Sequence, residues 1–222
     1  TLHPKIHGGI LNKRKNKIQL QELKKNNFEN IDLVIVNFYP FEKAIEQSFN
    51  HNKIIENIDI GGPAMVRAAA KNYNDVAVIT SPDQYVELID ELKKNKGCTT
   101  SEFREKMSRI ALSETAYYDS VVANDINEIK NISKKKKKIW HTNLVENLRY
   151  GENPHQVSAL YSKNINNEIK QIHGKILSYN NYNDIFAALT ITKSLPKNAG
   201  TVIVKHSNPC GASILKNNLE SY

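Results

Sequence analysis

Three short stretches of this sequence gather the side chains that acid–base or group-transfer chemistry needs. The first is Asp59-Ile60-Gly61-Gly62-Pro63, set directly before the apolar run Ala64, Met65, Val66, Arg67, Ala68, Ala69 and Ala70. Paired glycines let a backbone approach a ligand closely, and a helix start presents amide hydrogens, so an anion or a developing oxyanion could be received there beside Asp59. An ordinary tight turn before a helix has the same spelling. The second stretch is Lys205-His206-Ser207-Asn208-Pro209-Cys210-Gly211, which follows the apolar residues 201–204. A fixed cation next to a group that titrates near neutrality suits stabilising negative charge and moving a proton. A charged strand end that simply turns is the plainer alternative. The third stretch, residues 148–156 (LRYGENPHQ), is dense in hydrogen-bonding groups. Arg149 could clamp a phosphate or carboxylate while Tyr150 packs on a flat ring, or the whole could be a polar loop between domains.

The elements that must position these groups follow α/β grammar. Residues 31–37 (IDLVIVN) and 75–80 (DVAVIT) are short, β-branched and apolar, which predicts two buried strands. Between them, residues 41–50 and 63–72 read as helices, so the order is strand, helix, helix, strand, with a parallel sheet. Ser81-Pro82-Asp83-Gln84 is a helix start, and Gly97 is placed to end that helix after Lys96. Residues 100–126 fit one long amphipathic helix or two shorter ones. Residues 127–138 turn polar and end in the lysine run 134–138, which reads as a solvated linker. Beyond it, residues 178–184 (SYNNYND) read as a polar turn, 185–194 as a helix and 201–204 as a buried strand whose C-terminal end delivers Lys205 and His206, where open α/β sheets put ligands.

Composition narrows the function classes. The chain has 222 residues, 40% hydrophobic and 24% charged, with no run near the ~18 apolar residues that a spanning helix needs, so a membrane protein is excluded. The net charge of +8 is a weak nucleic-acid signal, because five of the positive charges sit in residues 134–138 and only five of the 31 basic residues are arginine. Cys98 and Cys210 cannot make a disulfide framework, and a reducing cytoplasm is the natural setting. No metal site is expected. His206 and Cys210 have no further ligand nearby, and Pro4, Gly8 and Gly9 argue against a single helix that would align His3 with His7.

Taken together, residues 1–11 (TLHPKIHGGIL), 37–41 (NFYPF), 55–72 (IENIDIGGPAMVRAAAKN), 149–156 (RYGENPHQ) and 204–211 (VKHSNPCG) resemble, in order, the bifunctional AICAR transformylase/IMP cyclohydrolase family of purine biosynthesis. The resemblance implies a partial methylglyoxal-synthase-like α/β domain over residues 1–133, a Lys-rich linker at 134–139, and the start of a cytidine-deaminase-like transformylase domain over 140–222. It also implies a fragment, beginning inside the first domain, ending early in the second and inactive alone. The cyclohydrolase site is implied to use Asp59 and Lys71 for acid–base work and Asn37 and Tyr39 for positioning, with Thr1, Ile60, Gly61 and Gly62 at the substrate. The transformylase site is implied to use Lys205 and His206 catalytically and Arg149 and Tyr150 to bind AICAR, with Asn180, Asn181 and Asp184 in the vicinity. The implied cosubstrate is 10-formyltetrahydrofolate, the other ligands are AICAR, formyl-AICAR and IMP, and the assembly is a homodimer. A competing reading makes the lysine run the core of a basic module for nucleic acid or an acidic surface, and a third leaves only a dimerisation surface.

Overall fold

The computed structural model describes residues 1–47, 50–129, 137, 139–163, 169–197, 200–215 and 218–222. The lysine run 134–138 therefore lies outside the described residues, except for Lys137, which is exposed. Two compact units form, Thr1–His141 and Thr142–Tyr222.

In the first unit, α1 (Pro4–Leu11) begins with Pro4 in its opening turn, and His3 Nδ1 accepts the Lys5 amide at 3.1 Å. The expectation that Pro4 and the glycines would prevent a helix here is corrected. Proline is tolerated where an amide has no partner anyway, and a β-carbon on Gly9 would strike the Glu29 carbonyl, so close packing explains that glycine. His3 caps the helix rather than pairing with His7 along it. Helix α2 (Lys17–Lys25), which the sequence reading did not anticipate, is capped by Asn16, whose Oδ1 accepts from Ile18 and Gln19.

Strand β1 (Leu33–Ile35) pairs in parallel with β2 (Ala77–Ile79), as the grammar of the sequence required. Three helices connect them, α3 (Phe41–Gln47), α4 (His51–Glu56) and α5 (Gly61–Lys71), where two were expected; Asn50 restarts the chain as the cap of α4. The expected burial of both strands holds for β2, whereas Ile35 of β1 is 48% exposed. The Ser81 start is a full capping box with Gln84, opening a short 3-10 turn (Pro82–Gln84) that runs into α6 (Tyr85–Lys94). Gly97 takes φ +86°, the left-handed stop that glycine supplies most cheaply. One long helix, α7 (Ser101–Ile129), then takes in residues 127–129, which their polar composition assigns to the linker.

The core of this unit is α5 packed against the strand pair and α7. Val66, Ala69, Val76, Val78, Ile79, Met107 and Ala111 are sealed in it. Small side chains on α5 permit this close approach, and the buried Ser108 hydroxyl of α7 donates to the Ala70 carbonyl at 2.8 Å. Asn72, at the end of α5, is buried and donates to the carbonyls of Ile10 and Asn12, tying α1 to α5. A smaller cluster of Phe41, Ile54, Tyr118 and Val121 lies under the α3–α4 segment.

The second unit contains an antiparallel pair, β3 (Asn143–Asn147) with β4 (Ala159–Ser162), then α8 (Tyr179–Lys193), a hairpin of β5 (Gly200–Lys205) with β6 (Asn208–Ile214), and the short α9 (Asn218–Ser221). Two expectations are corrected. Residues 178–184 are not a turn but the start of α8, because Ser178 and Asn181 form a reciprocal capping box that uses their polar side chains as helix caps. Strand β5 is not a buried strand: it is paired antiparallel with β6, and Ile203 is 50% exposed.

Candidate functional site

Parallel pairing fixes which end of the first unit can hold a site. After β1 the chain must return to the start of β2, and α5 makes the last leg, ending at Lys71 only a few residues before Ala77. Its N-terminus therefore sits at the edge where the strands end, which is the edge where Asn37 leaves β1.

At that helix start the Gly62 amide donates to Asp59 Oδ1 at 2.8 Å, so one of the amides imagined as open to a ligand is occupied by Asp59 itself. A β-carbon on Gly62 would collide with the Asp59 carboxylate, and one on Gly61 would collide with the Thr1 side chain. Both glycines are thus required by close approach, and Thr1, Asp59, Gly61 and Gly62 form one cluster. Ile60 stands beside them, 62% exposed. A carboxylate at a helix N-terminus is stabilised by the unpaired amides and the helix dipole.

Two tyrosines that the sequence reading did not single out hold candidate site residues, one at this cluster and one at Asn37. Tyr118, buried on α7, accepts the Asp59 amide at 2.7 Å, and Tyr85 of α6 accepts from Asn37 Nδ2 at 3.0 Å. Burial pushes the Tyr118 phenol above its ordinary range; the bond from the Asp59 amide opposes this, and the charges of Asp59 and Asp119 add to it. The only signal in the sequence was a tyrosine on an apolar helix face, whose hydroxyl must find some partner. Tyr39 is exposed beside Pro40. Lys71 is not brought to Asp59: it ends α5, ten residues beyond Gly61, or about 15 Å along the axis. There it lines a cavity of about 540 Å³ with Lys13, Lys15, Asp75 and Arg104.

In the second unit, Arg149 lies over the Tyr150 ring, 4.8 Å from its centroid, and donates to the Tyr150 hydroxyl at 3.1 Å. Their loop is docked on the start of α8. The Arg149 amide donates to Leu177, the Tyr179 amide to Tyr150, and Asn180 Nδ2 to the Glu152 carbonyl at 3.0 Å. Lys205 ends β5 and His206 begins the two-residue turn into β6. Ser207, the other turn residue, donates its amide to Asp184 Oδ1 of α8 at 2.7 Å. One helix thereby fastens both the Arg149-Tyr150 loop and the His206-Ser207 turn.

Among the described residues there is no group of three His, Cys, Asp or Glu side chains that could hold a metal, and no helix long and apolar enough to cross a membrane. The chemistry available is that of a carboxylate at a helix start in one unit, and of a cation, an imidazole and a stacked guanidinium–phenol pair in the other.

Comparison with known proteins identifies the family. The profile of the family described as AICARFT/IMPCHase bienzyme matches residues 69–222. The bifunctional purine biosynthesis protein PurH of Bradyrhizobium diazoefficiens is 43% identical over 219 residues, covering 96% of this chain and 41% of the relative. PurH of Persephonella marina is 45% identical over 222 residues, covering 96% and 43%. A solved structure described as the crystal structure of ForH is 32% identical, with a TM-score of 0.46 over 55% of this chain and 64% of that one. The chain thus spans less than half the length of these curated relatives. With the profile matched across most of its length, the chain belongs to the AICARFT/IMPCHase bienzyme family.

Proposed function

We propose that this chain carries parts of two catalytic sites for the last two steps of IMP synthesis, one in each unit. The first unit is read as the methylglyoxal-synthase-like cyclohydrolase domain (residues 1–133), joined by residues 134–139 to a cytidine-deaminase-like transformylase domain beginning at 140. The observation that carries the reading is the family match, which runs from within α5 to the end of the second unit and so includes both Arg149-Tyr150 and Lys205-His206.

In formyl transfer the amine of AICAR attacks the formyl carbon of 10-formyltetrahydrofolate, charge builds on the formyl oxygen, and tetrahydrofolate leaves with a proton. Lys205 stabilises that oxyanion and His206 carries the proton between amine and folate nitrogen. Arg149 and Tyr150 hold AICAR, the guanidinium for an anionic group and the ring for a flat one. In ring closure the carboxamide nitrogen of formyl-AICAR attacks the formyl carbon, and water leaves to give IMP. Asp59 moves the proton, Asn37 and Tyr39 position the substrate, and Thr1, Ile60, Gly61 and Gly62 contact it. Lys71 is assigned proton transfer in the same step; because its own helix holds it far from Asp59, exchange between the two runs through intervening groups or water. The working form is a cytoplasmic homodimer of the full-length protein, and this stretch by itself catalyses neither step at a useful rate.

The test is formation of IMP from AICAR and 10-formyltetrahydrofolate by the full-length gene product that contains this chain. Loss of an acid–base group costs roughly 100- to 10,000-fold. His206→Ala should remove formyl transfer and Asp59→Ala ring closure alone. A full-length protein with neither activity overturns the reading.

A further inference from the structure

The turn that presents His206 is built from the wrong residues for its shape. His206 has φ +54° and Ser207 φ +60°, two consecutive left-handed residues joining Lys205 of β5 to its partner Asn208 of β6. A two-residue hairpin turn of this kind favours Asn-Gly or Gly-Gly, because a β-carbon makes the left-handed region unfavourable. Residues held there persist only when the surroundings over-determine them. Two bonds do so here. Asn208 Nδ2 donates to the His206 carbonyl at 2.8 Å, within the hairpin, and the Ser207 amide donates to Asp184 Oδ1 at 2.7 Å, across to α8. The second is charge-assisted, lies 23 positions apart in sequence, and anchors the turn to the rest of the unit.

We propose that Asp184 is a positioning residue for the formyl-transfer step: its carboxylate, by holding the Ser207 amide, keeps the turn left-handed and so fixes where His206 projects. This rests on the reading of His206 as the proton carrier. Asp184 accepts a hydrogen bond and transfers no proton itself. Because α8 also holds the Arg149-Tyr150 loop through Asn180, the same helix sets both halves of that candidate site in one frame.

The test has an arm that does not depend on activity. Amide hydrogen exchange at Ser207, followed by NMR in the 222-residue chain, should quicken by about tenfold or more in Asp184→Ala, the scale of one lost hydrogen bond to a charged acceptor. Asp184→Asn, which keeps an acceptor oxygen, should retain most of the protection. Adding Ser207→Gly to Asp184→Ala should restore the turn, since glycine adopts this conformation without support. In the full-length enzyme, Asp184→Ala should lower kcat for formyl transfer and leave both KM for AICAR and the rate of ring closure unchanged, with Asp184→Asn and the glycine double variant recovering kcat. Unaltered Ser207 exchange in both Asp184 variants overturns the proposal whatever the enzyme does. So does quickened exchange with unchanged kcat. If the wild-type enzyme shows no formyl transfer, it is the functional reading that fails, and the exchange data then judge the clamp by itself.

Discussion

The backbone amide of Asp59 donates to the phenolic oxygen of Tyr118 across 2.7 Å, joining the loop before α5 to a side chain on α7 that lies 59 positions away in sequence. The Asp59 carboxylate meanwhile accepts from Gly62, so the residue is held at both its backbone and its side chain. Phe38 and Phe41 pack around the tyrosine ring with centroids at 5.2 and 6.3 Å, which fixes where that hydroxyl can be.

Tyr118→Phe removes the acceptor while leaving the ring. The Asp59 amide then lacks its partner, at a cost of about 1–3 kcal/mol. Denaturant unfolding should register that loss. Ring closure in the full-length protein should slow while formyl transfer does not, and equal slowing of both would sink the assignment of this cluster to ring closure.

The same phenol makes stability fall in alkali. Its pKa is raised above the ordinary 10.0, first by burial and further by the nearby carboxylates, against the pull of the Asp59 amide. The folded state therefore keeps a proton that the unfolded chain has given up. The associated stability is complete below the unfolded value and is lost as pH rises through the folded one. Denaturation midpoints measured from about pH 8 to pH 11 should drop more for the wild type than for Tyr118→Phe.

Two glycines should respond to alanine for opposite reasons. At Gly62, inside α5, alanine would ordinarily gain about 0.5–1 kcal/mol of helix propensity, but its β-carbon meets the Asp59 carboxylate, so the variant should be less stable and Asp59 displaced. At Gly97 there is open space, yet φ is +86°, and alanine should cost about 1 kcal/mol through backbone strain alone. Thermal melts of the two variants, with ring closure measured for each, separate the cases: only Gly62→Ala should impair the chemistry.

Acid should loosen the corner between α6 and α7. Glu91 accepts the amide and the hydroxyl of Thr100, both at 2.7 Å, and those bonds, first the backbone one, hold its pKa below the ordinary 4.5. A depressed carboxylate contributes stability that is present above its unfolded pKa and lost as pH falls through the folded one. Between neutral pH and strong acid, the advantage of wild type over Glu91→Gln should shrink, and a difference independent of pH would contradict the assignment.

Local structure was legible in the sequence wherever it was self-contained. The two β-branched strands, the Ser81 helix start and the Gly97 stop each announce themselves within a few residues, and the groups around Asp59, Arg149 and His206 stand out there as candidates. What could not be read was set by partners far along the chain. Tyr118 and Tyr85 gain their roles from residues 59 and 48 positions away, and no local pattern encodes that. Residues 178–184 looked like a turn because caps and turns use the same polar side chains. The segment 201–204 looked buried because β-branched composition reports strand preference, and an exposed hairpin satisfies it equally well. The distance of Lys71 from Asp59 was legible, because a continuous helix over residues 63–72 already carries Lys71 about 12 Å along its axis, and α5 does so.

On the proposed reading of the α5 start as a substrate site, the tight seam between α5 and α7 would also set how the first unit discriminates among ligands. Val66, Ala69, Met107 and Ala111 are fully shielded from solvent where α5 meets its neighbours, so a shift of α5 to admit a larger group would disturb a buried core. Everything adjustable, including Thr1, Tyr39 and Ile60, stands on the solvent side. Selectivity at the proposed site would therefore be built like a fixed anvil under a soft rim. A ligand with one substituent too many toward the helix would be turned away by sheer incompressibility, whereas variation on its outer face would be absorbed by side chains that reorient at little cost.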